Sequence, residues 1–210
     1  MSMFYELMMR KKEQIMYATI KGSLTENDGV FSGFDYNNYL ATQEVLDTSK
    51  DFEICIKANT GTMTGSFRAI FRNTFGLNPG NVGFAVGLVG NVDNKKTSTY
   101  IIDSSGNQIV NGQVGITYFH NDTDYYFKFS QKINNNTYTI KLESSTNGIN
   151  WTTENSWTHN LPIRNSGQGV AFGGGNLNQP TQFWSGSIDL PNSYIKLGST
   201  KYKIVAVPEE

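Results

Sequence analysis

FWSGSIDLPNSYIKL, Phe183 to Leu197, is the stretch on which the reading of this chain turns. It reads as an aromatic strand, a tight turn at its Gly and a second strand rich in β-branched and aromatic residues. It stands near the C-terminal end of the 210 residues. Working back from it, the same period of two recurs. Phe52, Ile54, Ile56 and Ala58 alternate with Glu53, Cys55 and Lys57, and Phe67, Ala69 and Phe71 alternate with Arg68, Ile70 and Arg72. Tyr125, Phe127 and Phe129 alternate with Tyr126, Lys128 and Ser130, and Tyr138, Ile140 and Leu142 with Thr139, Lys141 and Glu143. Side chains in a strand point to opposite faces in turn, so each of these segments predicts one dry face and one wet face. Val82 to Val89, VGFAVGLV, lacks a polar face and reads as a central strand covered on both sides.

Turn chemistry falls between these segments, at Asn59 to Thr62, Asn78 to Asn81, Ser104 to Asn107, Asn134 to Asn136 and Thr146 to Asn150. Tyr125 to Ser130 and Thr137 to Ser144 form the clearest hairpin, joined across QKINNN and followed by a second turn at Asn147-Gly148. About a dozen short strands punctuated in this way predict an all-β, two-layer antiparallel sandwich. No composition shift marks a second domain and no internal repeat is visible. Residues 15–210 are therefore expected to form one sandwich. Residues 1–14 are expected to be a short helical segment, with Phe4, Leu7 and Met8 at i, i+3 and i+4 and Glu6 four residues before Arg10. So short a helix must dock on something, either the end of its own sandwich or, as a tether, a neighbouring subunit.

Composition excludes several classes of function. With 17 basic and 18 acidic residues the net charge is -1, so no long-range field attracts nucleic acid or an anionic membrane surface. No run approaches the ~18 apolar residues that insertion in a bilayer requires. The N-terminal apolar residues precede the basic cluster, the reverse of a secretory signal, which points to synthesis for a cytoplasm. Cys55 is the single cysteine, so no disulfide forms within the chain, and its place in the apolar run FEICIKA predicts a buried, inert thiol.

Three stretches resemble the concanavalin A-like (laminin G-like, lectin/glucanase-type) jelly-roll domains carried by bacteriophage virion proteins. The first is GSLTENDGVFSGFDYNNYLAT, Gly22 to Thr42. The second is the hairpin YYFKFSQKINNNTYTIKLESSTNGINWTT, in which Ser145 to Trp151 matches the family's strand, S-x-(D/N)-G and Trp arrangement. The third is FWSGSIDLPNSYIKL. Together they span most of residues 15–205 in the family's order. Ser145 to Trp151 also resembles the Asp-box of sialidases, but Asn147 stands in place of Asp and the Gly spacing differs, so it reads as a hairpin device.

Glucanases of that superfamily carry E-x-D-x-(x)-E on one strand, a motif absent here. Glu44 to Asp47 has the wrong spacing, and Glu53 and Glu143 would share a cleft only by coincidence of register. Glycoside hydrolysis needs two carboxyls about 5 to 9.5 Å apart with one pKa raised, so no enzymatic activity is expected. His120 and His159 are the two histidines, and neither has partners at metal-ligand spacing. Asp122 and Asp124, following His120, are the candidate loop for calcium, although two alternating carboxylates are also an ordinary solvated turn; no cofactor is assigned. Gly173 to Gly175 has no following Lys and no helix, so it is not a phosphate cradle. Trp151 and Trp184 are expected in the core, and Trp157 is the candidate for a solvent-facing ring on which a sugar stacks.

The resemblance implies a non-enzymatic virion protein of a phage, on a tail, fibre or capsid surface, assembled in the bacterial host cytoplasm. Its lectin-like module would bind host-surface glycan or serve structural attachment, with Trp157, His120, Asp122 and Asp124 as the ligand-binding candidates. Such modules assemble as trimers or larger homo-oligomers and meet other virion proteins, here through FYELMMRKK. Nucleic acid and membrane insertion are not expected. The alternatives are a free bacterial carbohydrate-binding protein and a degenerate glycoside hydrolase that lost its acids.

Overall fold

The computed structural model describes residues 13–35, 37–62, 66–73, 83–90, 94–174 and 182–209, so the expected helix at 1–14 lies almost wholly outside the described residues. Within them the period of two produces β-strands. A first layer runs β12 (Thr152–His159), β11 (Thr137–Ser145), β10 (Asp124–Asn134), β5 (Phe52–Asn59), β14 (Ser187–Leu197) and β15 (Thr200–Val207). A second runs β4 (Tyr39–Thr42), β13 (Ala171–Phe172), β6 (Arg68–Arg72), β7 (Phe84–Val89), β8 (Lys96–Ile102) and β9 (Gln108–Val114). β1 (Gln14–Lys21) joins the layers: Gln14 to Thr19 pair with β15, and Ala18 to Lys21 pair with β4. The β1–β15 pairing is parallel, a departure from the purely antiparallel sandwich that periodicity suggests. A small hairpin, β2 (Thr25–Asn27) and β3 (Val30–Ser32), leans on β14.

The core forms where the inward rows meet. Phe52 from β5, Phe129 from β10, Phe71 from β6 and Phe84 from β7 are all buried, with Phe84 and Phe129 ring centroids 4.7 Å apart and Phe52 and Phe84 6.0 Å apart. Contacts of this kind add to the free energy of removing the rings from water. Phe119, Tyr125 and Phe127 extend the cluster toward one end of the sandwich. Trp184 is fully buried, as expected, and its indole Nε1 donates to the Asn59 carbonyl at 3.0 Å.

Three local readings are corrected. The stretch Phe183 to Leu197 is not two strands about a Gly turn. Phe183 to Gly186 is irregular, and Ser187 to Leu197 is one strand broken by a bulge between Asp189 and Tyr194. Gly186 is required because a Cβ there would lie 1.9 Å from the Asn59 carbonyl oxygen. The chain bulges at Leu190 to Ser193, where Pro191 offers no N–H to a ladder. Across the bulge the outer neighbour of β14 changes from β3 to β15. Second, the hairpin strands β10 and β11 continue through QKIN, so the turn is only Asn135-Asn136. Both residues have positive φ (49° and 62°), the primed-turn geometry that matches strand twist and that Asn tolerates. Third, β6 has no wet face. A register shift between Ala69 and Phe71 turns both Ile70 and Phe71 to the main core. On its other face Phe67, Ala69 and Ala85 pack with Tyr100, and Arg72 is buried, which brings its guanidinium down to about 10.

A bulge also shapes the open edge of the first layer. β11 and β12 shift register between Leu142 and Glu143, leaving Glu154 without a cross-strand partner. Its carboxylate turns inward and accepts the Ile116 and Thr117 N–H groups at 2.9 Å each and the Ser144 hydroxyl at 2.6 Å, tying β12 to the segment after β9.

Truncating Phe129 at the centre of the ring cluster is expected to cost about 3 to 5 kcal/mol in chemical denaturation. Ile149→Ser, at a turn tip where the side chain is 78% exposed, should leave the midpoint unchanged within error.

Candidate functional site

The sequence candidates do not come together. Trp157 stands opposite the buried Ile140 and therefore faces inward at the sandwich edge; it is half-buried against the core, and its Nε1 donates to Gln113 Oε1 at 2.5 Å. This corrects the expectation of a solvent-facing ring. Through Ile140 and Gln131 its register lies seven residues along β10 from Asp124, roughly 23 Å in the strand direction. His120, Asp122 and Asp124 belong to the segment entering β10. That segment is latched to the end of β5: the Thr60 hydroxyl donates to the His120 carbonyl at 2.5 Å, the Thr123 N–H donates to Thr60 Oγ1 at 3.1 Å, and buried Lys95 donates to the Gly61 carbonyl and Asn121 Oδ1.

The Asp124 carboxylate is already engaged. Asn59 Nδ2 donates to it at 2.9 Å and Lys57 Nζ lies 3.2 Å away, while Lys57 also pairs with Asp189 at 2.9 Å. The Asn59 hydrogen bond, then Lys57, holds the Asp124 carboxyl below its usual range, and the Asp189 hydrogen bond raises the Lys57 ammonium. Among the described residues no three His, Cys, Asp or Glu side chains converge as metal ligands.

A groove of about 870 Å³ lies elsewhere, on the outer face of the first layer. It crosses β10, β5, β14, β15 and the start of β1, a span of roughly 19 Å at ordinary strand spacing. Tyr126, Tyr194, Lys201, Lys203 and Gln14 line it, and its two shoulders are the bulge at Pro191 to Ser193 and the turn after β11. In that turn Ser145 Oγ accepts the Asn147 and Gly148 N–H groups at 3.2 and 3.0 Å, and Asn147 Oδ1 accepts those of Ile149 and Asn150 at 2.9 Å each. Gly148, with φ +71°, lies flat against the Tyr126 ring, where a Cβ would stand 3.3 Å from it. The turn thus delivers Trp151 beside Tyr126, centroids 6.5 Å apart and edge to face. Trp151 is half-buried on the outer surface, not in the core as expected. The signal for this was present in the sequence as Ser145, Asn147, Gly148 and Trp151, but which face the ring would join depended on the register of β11 with β10.

Two cations sit on ring faces here. Lys128 Nζ lies 3.9 Å from the Trp151 centroid and pairs with Glu143 at 3.0 Å; Lys201 Nζ lies 3.8 Å from the Tyr194 centroid. The Tyr194 hydroxyl donates to Glu53 Oε1 at 2.7 Å, and burial followed by that bond raises the phenol. Cys55 lies in the floor, 2% exposed, and burial pushes its thiol up to about 12. Glu53 and Glu143 share this outer face after all, but they stand two strands apart and two residues out of line, about 12 Å between Cα atoms.

No protein-family model and no curated protein matches the sequence. Solved structures share the fold. Tailspike protein 2 from Escherichia coli O157:H7 bacteriophage CAB120 superposes with a TM-score of 0.63 at 10% identity over 93% of this chain and 27% of its own. The binding domain of Paraclostridial Mosquitocidal Protein 1 gives 0.52 at 14% identity over 90% of this chain and 44% of its own. The potassium-bound carbohydrate recognition domain of Emp46p gives 0.50 at 11% identity, covering 87% of this chain and 88% of that one. The chain therefore has the concanavalin A-like jelly-roll fold, and it spans less than half the length of the first two.

Two measurements test this electrostatic picture. A folded pKa lowered at Asp124 contributes stability that is present above the unfolded carboxyl value of about 3.9 and lost as pH falls through the folded one. The raised Lys57 contributes below about 10.4 and loses its effect as pH rises through its folded value. Lys57→Gln should therefore lower the denaturation midpoint at pH 7 and flatten its fall below pH 4. With a thiol at about 12, roughly one Cys55 in ten thousand is thiolate at pH 8, so a disulfide reagent should leave the native protein unlabelled and titrate one thiol after unfolding.

Proposed function

We propose that this chain is a non-enzymatic, lectin-like module of a phage virion protein, and that it holds host-surface glycan in the outer-face groove. The observation that carries this reading is the Ser145 to Trp151 turn, whose four backbone N–H bonds serve to stand an indole beside Tyr126 at the groove margin. Sugar rings present flat C–H faces to aromatic side chains and hydroxyls to amides. Trp151 and Tyr126 offer the first kind of contact, and Asn147, Asn192 and Gln14 offer the second.

The absence of chemistry in this proposal rests on the acids. Hydrolysis of a glycoside requires a carboxyl pair about 5 to 9.5 Å apart, one of them kept protonated. Glu143 is paired with Lys128, Glu53 accepts the Tyr194 hydroxyl, and the two stand two strands apart and two residues out of line. Such a groove retains a sugar without cleaving it. The virion setting draws support from the fold shared with the phage tailspike and from the motif order in the sequence, and assembly as a homo-oligomer in the host cytoplasm belongs to the same reading.

A glycan array probed with the full chain is expected to give binding that Trp151→Ala reduces by tenfold or more, since loss of a stacked ring costs ~1.5 kcal/mol or more. Trp157→Phe should leave the array pattern intact. Binding that survives Trp151→Ala and vanishes with Trp157→Phe would move the site to the sandwich edge. Light scattering of the same sample should give an oligomer.

A further inference from the structure

We infer that the saccharide held in this groove is anionic, carrying a carboxylate or a phosphate, and that Lys201 and Lys203 recognise its charge. The inference rests on the groove being the glycan site and goes further by naming the class of glycan. Lys201 and Lys203 are two apart on β15 and so project from the same, outer face into the groove. Both are exposed, and neither has an ion-pair partner among the described residues. Lys57 and Lys128 on the same face each hold a carboxylate within 3.2 Å, whereas Lys201 and Lys203 line the groove without one. Glu13 is the one carboxylate among the described residues that line the groove, so the lining carries net positive charge in a chain whose net charge is -1.

The register adds a second observation. Lys196 on β14 stands directly opposite Lys201 on β15 and, on its other side, opposite Glu53 on β5. Like charges at directly opposed positions destabilise a sheet, and Glu53 stands beside Lys196 rather than Lys201. A bound anion would relieve that repulsion. Lys201 is also held over the Tyr194 ring, which fixes its ammonium at the groove wall in place of leaving it to sweep through solvent. A neutral sugar would gain little from two cations placed this way. An acidic one would gain a charge-assisted hydrogen bond at one end while its ring reaches the Tyr126 and Trp151 end. A polynucleotide offers phosphates too, but the groove spans only five strands of one face, so a saccharide of a few residues fits it better.

Calorimetry with the full chain decides the matter, using oligogalacturonate, a phosphate-substituted oligomannose, unsubstituted oligomannose and a single-stranded oligonucleotide at 50 and 200 mM salt. One of the two acidic saccharides is expected to bind at least tenfold tighter than the neutral one, and which of them does so identifies the charged group. Lys201→Gln/Lys203→Gln should weaken that binding about five- to tenfold and flatten its salt dependence while leaving the circular dichroism spectrum unchanged. Equal binding of neutral and acidic saccharides, lost in Trp151→Ala and indifferent to the two lysines, would overturn the anionic class and keep the groove as a glycan site. If no saccharide binds and Trp151→Ala changes nothing, the glycan reading itself fails. Oligonucleotide binding as tight as the acidic saccharide's would reassign the groove to polyanions in general.

Discussion

Everything in this molecule depends on keeping the inward row of each strand dry at once. Phe52, Phe71, Phe84 and Phe129 come from four strands in two layers, and they meet only because every strand between them holds its register. A slip of one residue anywhere would exchange the dry and wet rows of that strand. The burial of these rings is therefore what fixes the outer surface as well. Tyr126, Cys55, Tyr194 and Lys203 share the groove because their neighbours Phe127, Ile54, Ile56 and Ile195 share the core.

Where the register is broken, the break has a use. The bulge at Leu190 to Ser193 lets β14 change its outer neighbour and raises a shoulder beside the groove. The irregularity at Glu154 sends a carboxylate inward, where three donors satisfy it and bind the sandwich edge. The shift in β6 gives that strand two apolar faces. Backbone groups at such breaks find other partners: the Lys57 N–H donates to Ser193 Oγ, the Ser193 hydroxyl to the Asp189 carbonyl, and the Gly173 N–H to the Ile70 carbonyl.

The fold was largely legible from alternation in segments such as Phe52 to Ala58 and Tyr125 to Ser130, because facing in a strand is a local property. The functional surface was less legible. Trp151 and Trp157 sit in similar polar surroundings in the sequence, and reading them by composition reverses their environments. The reason lies between them: the bulge at Glu154 changes the phase of β12, so Trp151 emerges on the outer face while Trp157 turns toward Ile140. His120, Asp122 and Asp124 looked like a ligand cluster because they are close in sequence. Asn59 and Lys57, some sixty residues earlier, engage the Asp124 carboxylate, and Thr60 donates to the His120 carbonyl.

The sequence by itself determined an all-β sandwich, the identity of the central aromatic rows, a single inert thiol and the residues of the Ser145 to Trp151 turn, since each follows from periodicity, composition or local hydrogen bonding. Only the tertiary structure decided that this turn, the Pro191 bulge and the lysines of β15 enclose one groove. Those elements are brought together by pairing between strands far apart in the chain, and the face each presents depends on the summed register of every strand between them.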